Sequence, residues 1–391
     1  MPFGAPEALR LRPRRLMSRD PFNPVFIKAC IGLVVGALTL SACGSTAAPT
    51  AKAPGSPAIA ATVGPATASV APVASVVPSA APSVAPTMAV APPIKPEATI
   101  AAPDVGWLAF DGTMLWVLTG AGQVARLDPA TNVLGPLATV DPTHLDGGFG
   151  VNQRGLWLND FDANLVYRVD PVSLKVVAKI ASAHNPEGLA VDPRNGAVWV
   201  ANHRGGTVTR IDPATNKIVA TIPVGNVGRS GPHQIGLGLG SVWVGVPNAS
   251  NVYRIDPVTN KVVATIEIPS DASPCSGFAF GEQAVWSPSC GDATTMVRID
   301  PVANKVVATI NLGGYGDYPI VVNGVPWLAV ESTSGQPARL VRIDPTTNTI
   351  DRVVSVGDSF RGADLVVAKG SVWLIDSANG NILRLPVAAF K

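Results

Sequence analysis

The chain has 391 residues, a formal net charge of +2, 47% hydrophobic and 14% charged side chains, and 38 Gly and 37 Pro. That balance fits a globular β-rich domain with many tight turns. It also excludes a basic nucleic-acid surface. Residues 1–42 carry six basic and two acidic side chains, so taking their +4 from the total of +2 leaves the remainder near −2.

In chain order, a basic segment leads into the apolar run Ala29 to Leu40, the pattern of an export signal and too short to span a bilayer as a mature helix. Met1 and Met17 both suit its start. Directly after it, Leu40-Ser41-Ala42-Cys43-Gly44 resembles the bacterial lipobox. The resemblance implies cleavage before Cys43, lipid modification of its thiol and attachment to the lipid bilayer of the cell membrane. An ordinary secreted protein cut nearby is the alternative.

From Cys43 to residue 96 the chain is Ala, Pro, Ser, Thr and Val with almost no charge, which predicts an extended, disordered tether. Of four cysteines, Cys30 leaves with the signal, which covers residues 1–42, and Cys43 is the proposed anchor. Cys275 and Cys290 remain, and an oxidising compartment makes a disulfide between them the expectation.

Residues 97–391 are repetitive. Arg210-Ile-Asp-Pro-Ala-Thr-Asn-Lys-Ile-Val-Ala-Thr-Ile222 returns at Arg254 and Arg298, more loosely at Arg126, Arg168 and Arg342, and truncated at Arg384. Successive arginines are 42, 42, 44, 44, 44 and 42 residues apart. A Trp precedes each copy: Trp116, Trp157, Trp199, Trp243, Trp286, Trp327 and Trp373. One period (187–224) reads as four short strands separated by turn signals, one antiparallel sheet per repeat. A period near 43 repeated seven times predicts a seven-bladed, all-β propeller.

The repeated features read as structural. The Trp rings fill the wedges between blades, and each Arg–Asp pair (Arg210, Asp212) braces its own blade's turn. The last copy lacks a fourth strand, and Glu97–Ala101 matches the missing Val-Ala-Thr-Ile segment. It should therefore complete the carboxy-terminal blade and remove the open edge.

Val198-Trp-Val-Ala-Asn202 followed by Arg-Ile-Asp-Pro-Ala-Thr-Asn-Lys-Ile-Val-Ala-Thr-Ile-Pro-Val resembles the YVTN-type β-propellers, and is similar also to the propeller of the virginiamycin B lyase (streptogramin lyase) family. The second resemblance implies a magnesium ion, a histidine base and nearby glutamates, including a Glu-x-His pair. Gly231-Pro232-His233 looks like the corresponding loop, with His233 in the base position. No Glu-x-His occurs here, and Glu187 and Glu331 are the available glutamates.

Propellers bind ligands on the face made by loops that join strand four to the next strand one and strand two to strand three. All four histidines fall there: His144, His184 and His233 in the first set, His203 in the second. The mouth positions are Asp104, Asp146, Glu187, His233, Ser276, Tyr318 and Arg361. Carboxylates among imidazoles suit a divalent cation (Mg or Ca) or polarisation of a ligand carbonyl, with Glu187, His184 and His233 as metal ligands. His233 and Glu187 are the catalytic candidates, and Asp104, Asp146, His184, His203, Tyr318 and Arg361 the ligand-binding ones.

The function expected is a membrane-anchored, extracytoplasmic lipoprotein, monomeric, binding a small molecule, glycan or protein on its loop face without catalysis. A metal-dependent lyase or hydrolase of the virginiamycin B lyase type is the alternative, and a structural envelope protein a third class.

Overall fold

A computed structural model describes residues 91–140, 148–225, 231–281, 283–290, 294–331, 337–356 and 364–391. The leader with Cys43, most of the tether, the loop carrying His144 and Asp146, and Arg361 lie outside the described residues. Among those residues no helix is long and apolar enough to cross a membrane.

Seven antiparallel sheets follow one another along the chain. Blade three shows the plan: Pro186–Val191, Val198–Asn202, Thr207–Asp212 and Lys217–Pro223 pair in sequence order from channel to rim. The ring closes where the inner strand of blade seven (Leu365–Ala368) packs against that of blade one (Val105–Phe110). Ala98–Ala101 supplies the outer strand of blade seven by pairing antiparallel with Asn381–Pro386, as expected, with Ile100 buried beside Trp373 and Ile382.

The rim adds a strand that the repeat does not announce. Ala91–Ile94, inside the stretch assigned to the tether, pairs parallel with Thr349–Val356 at the outer edge of blade six. Ile94 buries among Val354, Val356, Leu385 and Phe390, which offsets the cost of ordering the segment. Pro92 and Pro93 are tolerated because an edge strand leaves one row of amides unused.

All seven repeat tryptophans are buried to 2% exposure or less, each between neighbouring blades. The repeat arginine does not brace its own Asp, contrary to the sequence reading. It lies over its blade's Trp, 5.3 Å from the ring centre for Arg210 on Trp199, and reaches the next blade's turn. Arg210 donates to Pro257 O at 3.0 Å and Asn260 Oδ1 at 2.9 Å. Arg168, Arg254 and Arg298 do the same in blades two, four and five, and Arg384 closes the circle on Pro129 and Asn132.

The Asp instead caps its own turn: Asp212 accepts from Ala214 N and Thr215 Oγ1. Asn216 ends that turn at φ +57°, a conformation Asn tolerates. Two blades break the rule for visible reasons. Blade two has Leu174 (φ +55°) where the others have Asn, so Arg126 keeps only Pro171 O. Blade seven has Pro386 instead of an Asp-Pro turn; Arg342 pairs with Asp351 at 2.9 Å, and Arg352 covers Trp327.

Candidate functional site at the loop face

The site starts from a tight approach between two inner strands. Gly188 follows Glu187 in blade three, and a Cβ there would stand 2.4 Å from His233 O of blade four. Only glycine lets the strands come this close, and that proximity sets Glu187 beside His233. The entry to the strand is pinned: Asn185 (φ +54°) donates its amide side chain to Phe161 O at 2.8 Å, and Asn159 Nδ2 donates to Glu187 O at 2.9 Å. His203 and His233 are tethered by their backbones, which donate to Asn185 O at 2.8 Å and Gly245 O at 2.9 Å.

The side chains then converge. Glu187 Oε2 lies 3.0 Å from His203 Nδ1 and Oε1 lies 3.0 Å from His233 Nε2. The two imidazoles meet edge to face with centres 5.8 Å apart. Burial pushes the Glu187 carboxyl upward, but the charge of His233 and hydrogen bonds from both imidazoles outweigh it and hold the group well below the usual carboxylate range. An ionised carboxylate of this kind fixes the orientation of both rings. His203 is buried, and the His233 side chain keeps 27% of its exposure although its Nδ1 is withdrawn from solvent.

Glu187, His203 and His233 are thus brought together, although His203 came from the second loop set. His184 is exposed in its loop, and the ion pairs of Glu187 go to His203 and His233, so His203 stands where the expected Glu187–His184–His233 set had His184. Asp104 is exposed at a left-handed turn (φ +62°). Among the described residues no three metal-ligating side chains converge as a cation site. The donor chemistry argues against Mg or Ca too, since both prefer oxygen ligands and two of the three groups here are imidazoles.

Tyr318 sits elsewhere. In strand register His233 matches Asp317, each donating its amide to the residue two beyond the blade's Trp (Gly245 and Ala329), so Tyr318 matches Gln234. One step along a strand turns the side chain to the other face, here into the central channel. Gln234 Nε2 donates to Tyr318 Oη at 2.9 Å across that channel. The same register holds Asp364, which the sequence reading passed over.

These residues, with Trp107, Phe149 and Phe278, line a cavity of about 180 Å3 on the ring axis. Asp364 Oδ2 accepts from Leu108 N at 2.9 Å, yet burial pushes its carboxyl up to about 7. Its signal was present in the sequence: a carboxylate at an inner-strand position that is Gly in blades two and five.

Cys275 and Cys290 form the expected disulfide, with Cα atoms 5.5 Å apart, on the loop side of blade five.

No protein-family model and no curated protein sequence matches the chain. Its fold is that of the seven-bladed propeller lyases. It is similar to a streptogramin B lyase structure (18% identity, 73% of this chain and 94% of that one, TM-score 0.61). It is also similar to selenomethionine-substituted virginiamycin B lyase from Staphylococcus aureus (16% identity, 74% and 98% covered, TM-score 0.62). A catalytically inactive variant of the latter with quinupristin matches equally well (16%, 74% and 98%, TM-score 0.61).

Proposed function

We propose that the chain is an extracytoplasmic lipoprotein, anchored through Cys43, whose propeller binds a ligand on its loop face without turning it over. The observation that carries the non-catalytic reading is the state of His233: one ring nitrogen is held by Glu187 and the other is withdrawn from solvent. A general base must present a nitrogen to its substrate. The lipobox and the sparsely charged tether support display outside the membrane.

A proton-transferring lyase or hydrolase is the second reading, favoured by the carboxylate-oriented imidazole and by the fold shared with the lyases. One assay separates the two: incubation with quinupristin, with and without added magnesium, followed by mass spectrometry. The binding reading expects intact quinupristin under both conditions. Ring opening that disappears in His233→Ala would replace it with the lyase reading. Membrane fractionation checks the anchor, since Cys43→Ala should move the protein to the soluble fraction.

A further inference from the structure

The axial cavity has a chemistry separate from the Glu187 group. Its walls are aromatic (Trp107, Phe149, Phe278), one side carries Asp364, and the other the hydrogen-bonded Gln234–Tyr318 pair. Among the described residues the Asp364 carboxyl is bonded to backbone amides at Leu108 and Leu365. An anion entering the cavity would find no Lys or Arg among its described lining residues and would be repelled by Asp364 whenever that carboxyl ionises. A neutral apolar molecule would leave that group desolvated and uncompensated. A cation gains directly from the carboxylate, and aromatic side chains bound the space it would fill. The volume, about 180 Å3, is on the scale of the ~150 Å3 apolar cavity that accepts benzene.

We propose that the central channel is a binding site for a small organic cation, an alkylammonium or quaternary ammonium group, held by Asp364 in the cavity that Trp107, Phe149 and Phe278 help to line. The upward displacement of the Asp364 carboxyl fits this assignment, because a bound cation would replace the proton it now retains. The inference goes beyond the loop-face reading and does not depend on it.

The test is calorimetric titration of the full propeller with tetramethylammonium chloride, with tert-butanol as the neutral probe of similar shape and propionate as the anionic one. Saturable millimolar binding of tetramethylammonium alone is expected. Asp364→Asn should weaken it at least tenfold and Trp107→Leu at least threefold, whereas Glu187→Gln should change it less than twofold. Unchanged affinity in Asp364→Asn, tert-butanol bound as tightly, or no saturable binding would overturn the proposal. If Asp364→Asn fails to fold, the unaltered protein decides. Repeating the titration at pH 6 in buffers of different ionisation enthalpy should show close to one proton released per cation bound, and no release counts against Asp364 as the partner.

Discussion

The two faces of this propeller obey different rules. On the turn face, the same four groups recur in most blades: a buried Trp, an Arg lying over it, and the next blade's Pro carbonyl and Asn side chain. On the loop face and in the channel, equivalent positions differ from blade to blade: Gly148, Gln234, Tyr318 and Asp364 share one register. Repetition marks what every blade needs to stand against its neighbour, and departure from it marks where the molecule can treat one blade differently. The arginines of the turn face are many and structural, whereas the single Glu187 is the group that gathers two imidazoles.

That contrast can be tested on the turn face first. Arg210→Met keeps an aliphatic cover on Trp199 but removes the latch to Pro257 and Asn260, and should cost about 2–3 kcal/mol in urea unfolding. Chemical shifts of His203 and His233 should stay unchanged. A cost below about 0.5 kcal/mol would show that stacking, and not the latch, joins the blades.

Asp364→Asn probes the channel. The native carboxyl titrates near 7, against 3.8 as its ordinary value, so between those values the folded protein holds a proton that the unfolded chain has lost. Stability therefore falls as pH rises through this window, by up to about 1.4 kcal/mol per unit, and levels off above it. The variant should lack that slope and be more stable than the parent at pH 8, by on the order of 2 kcal/mol. Parallel pH–stability curves would contradict a recessed Asp364.

The smallest effect is a gain. Leu174→Asn puts the residue favoured at φ +55° into blade two and gives Arg126 the side-chain acceptor that its counterparts have. A stabilisation of about 1 kcal/mol is expected from thermal unfolding. No gain would indicate that Arg126 is already satisfied by Pro171.

Much of this was legible before the fold. Period, blade count, the Ala98–Ala101 closure and the Cys275–Cys290 disulfide follow from local spacing, because each repeat is a hairpin-built unit that only stacking can bury. Glu187, His203 and His233 were separate candidates, and His184 had a better claim than His203. Backbone anchoring at Asn185 and Gly245 and the close approach at Gly188 chose between them.

Register was the harder quantity. Counting from the repeat placed Tyr318 with Glu187 and left Asp364 unremarked, since loops of unequal length hide a one-residue offset that reverses the direction of a side chain. The Arg–Asp spacing likewise suggested a pair within one turn, when the long guanidinium arm was aimed at the neighbouring blade. The strand Ala91–Ile94 carries two consecutive prolines that argue against a strand, and is specified by the free edge that receives it. Sequence alone determined the number of blades and the residues each must bury, because those depend on contacts repeated at a fixed period. Only the tertiary structure decided which polar groups share a mouth, a channel or a latch, because those meetings join residues from different repeats whose distances depend on ring closure and strand register.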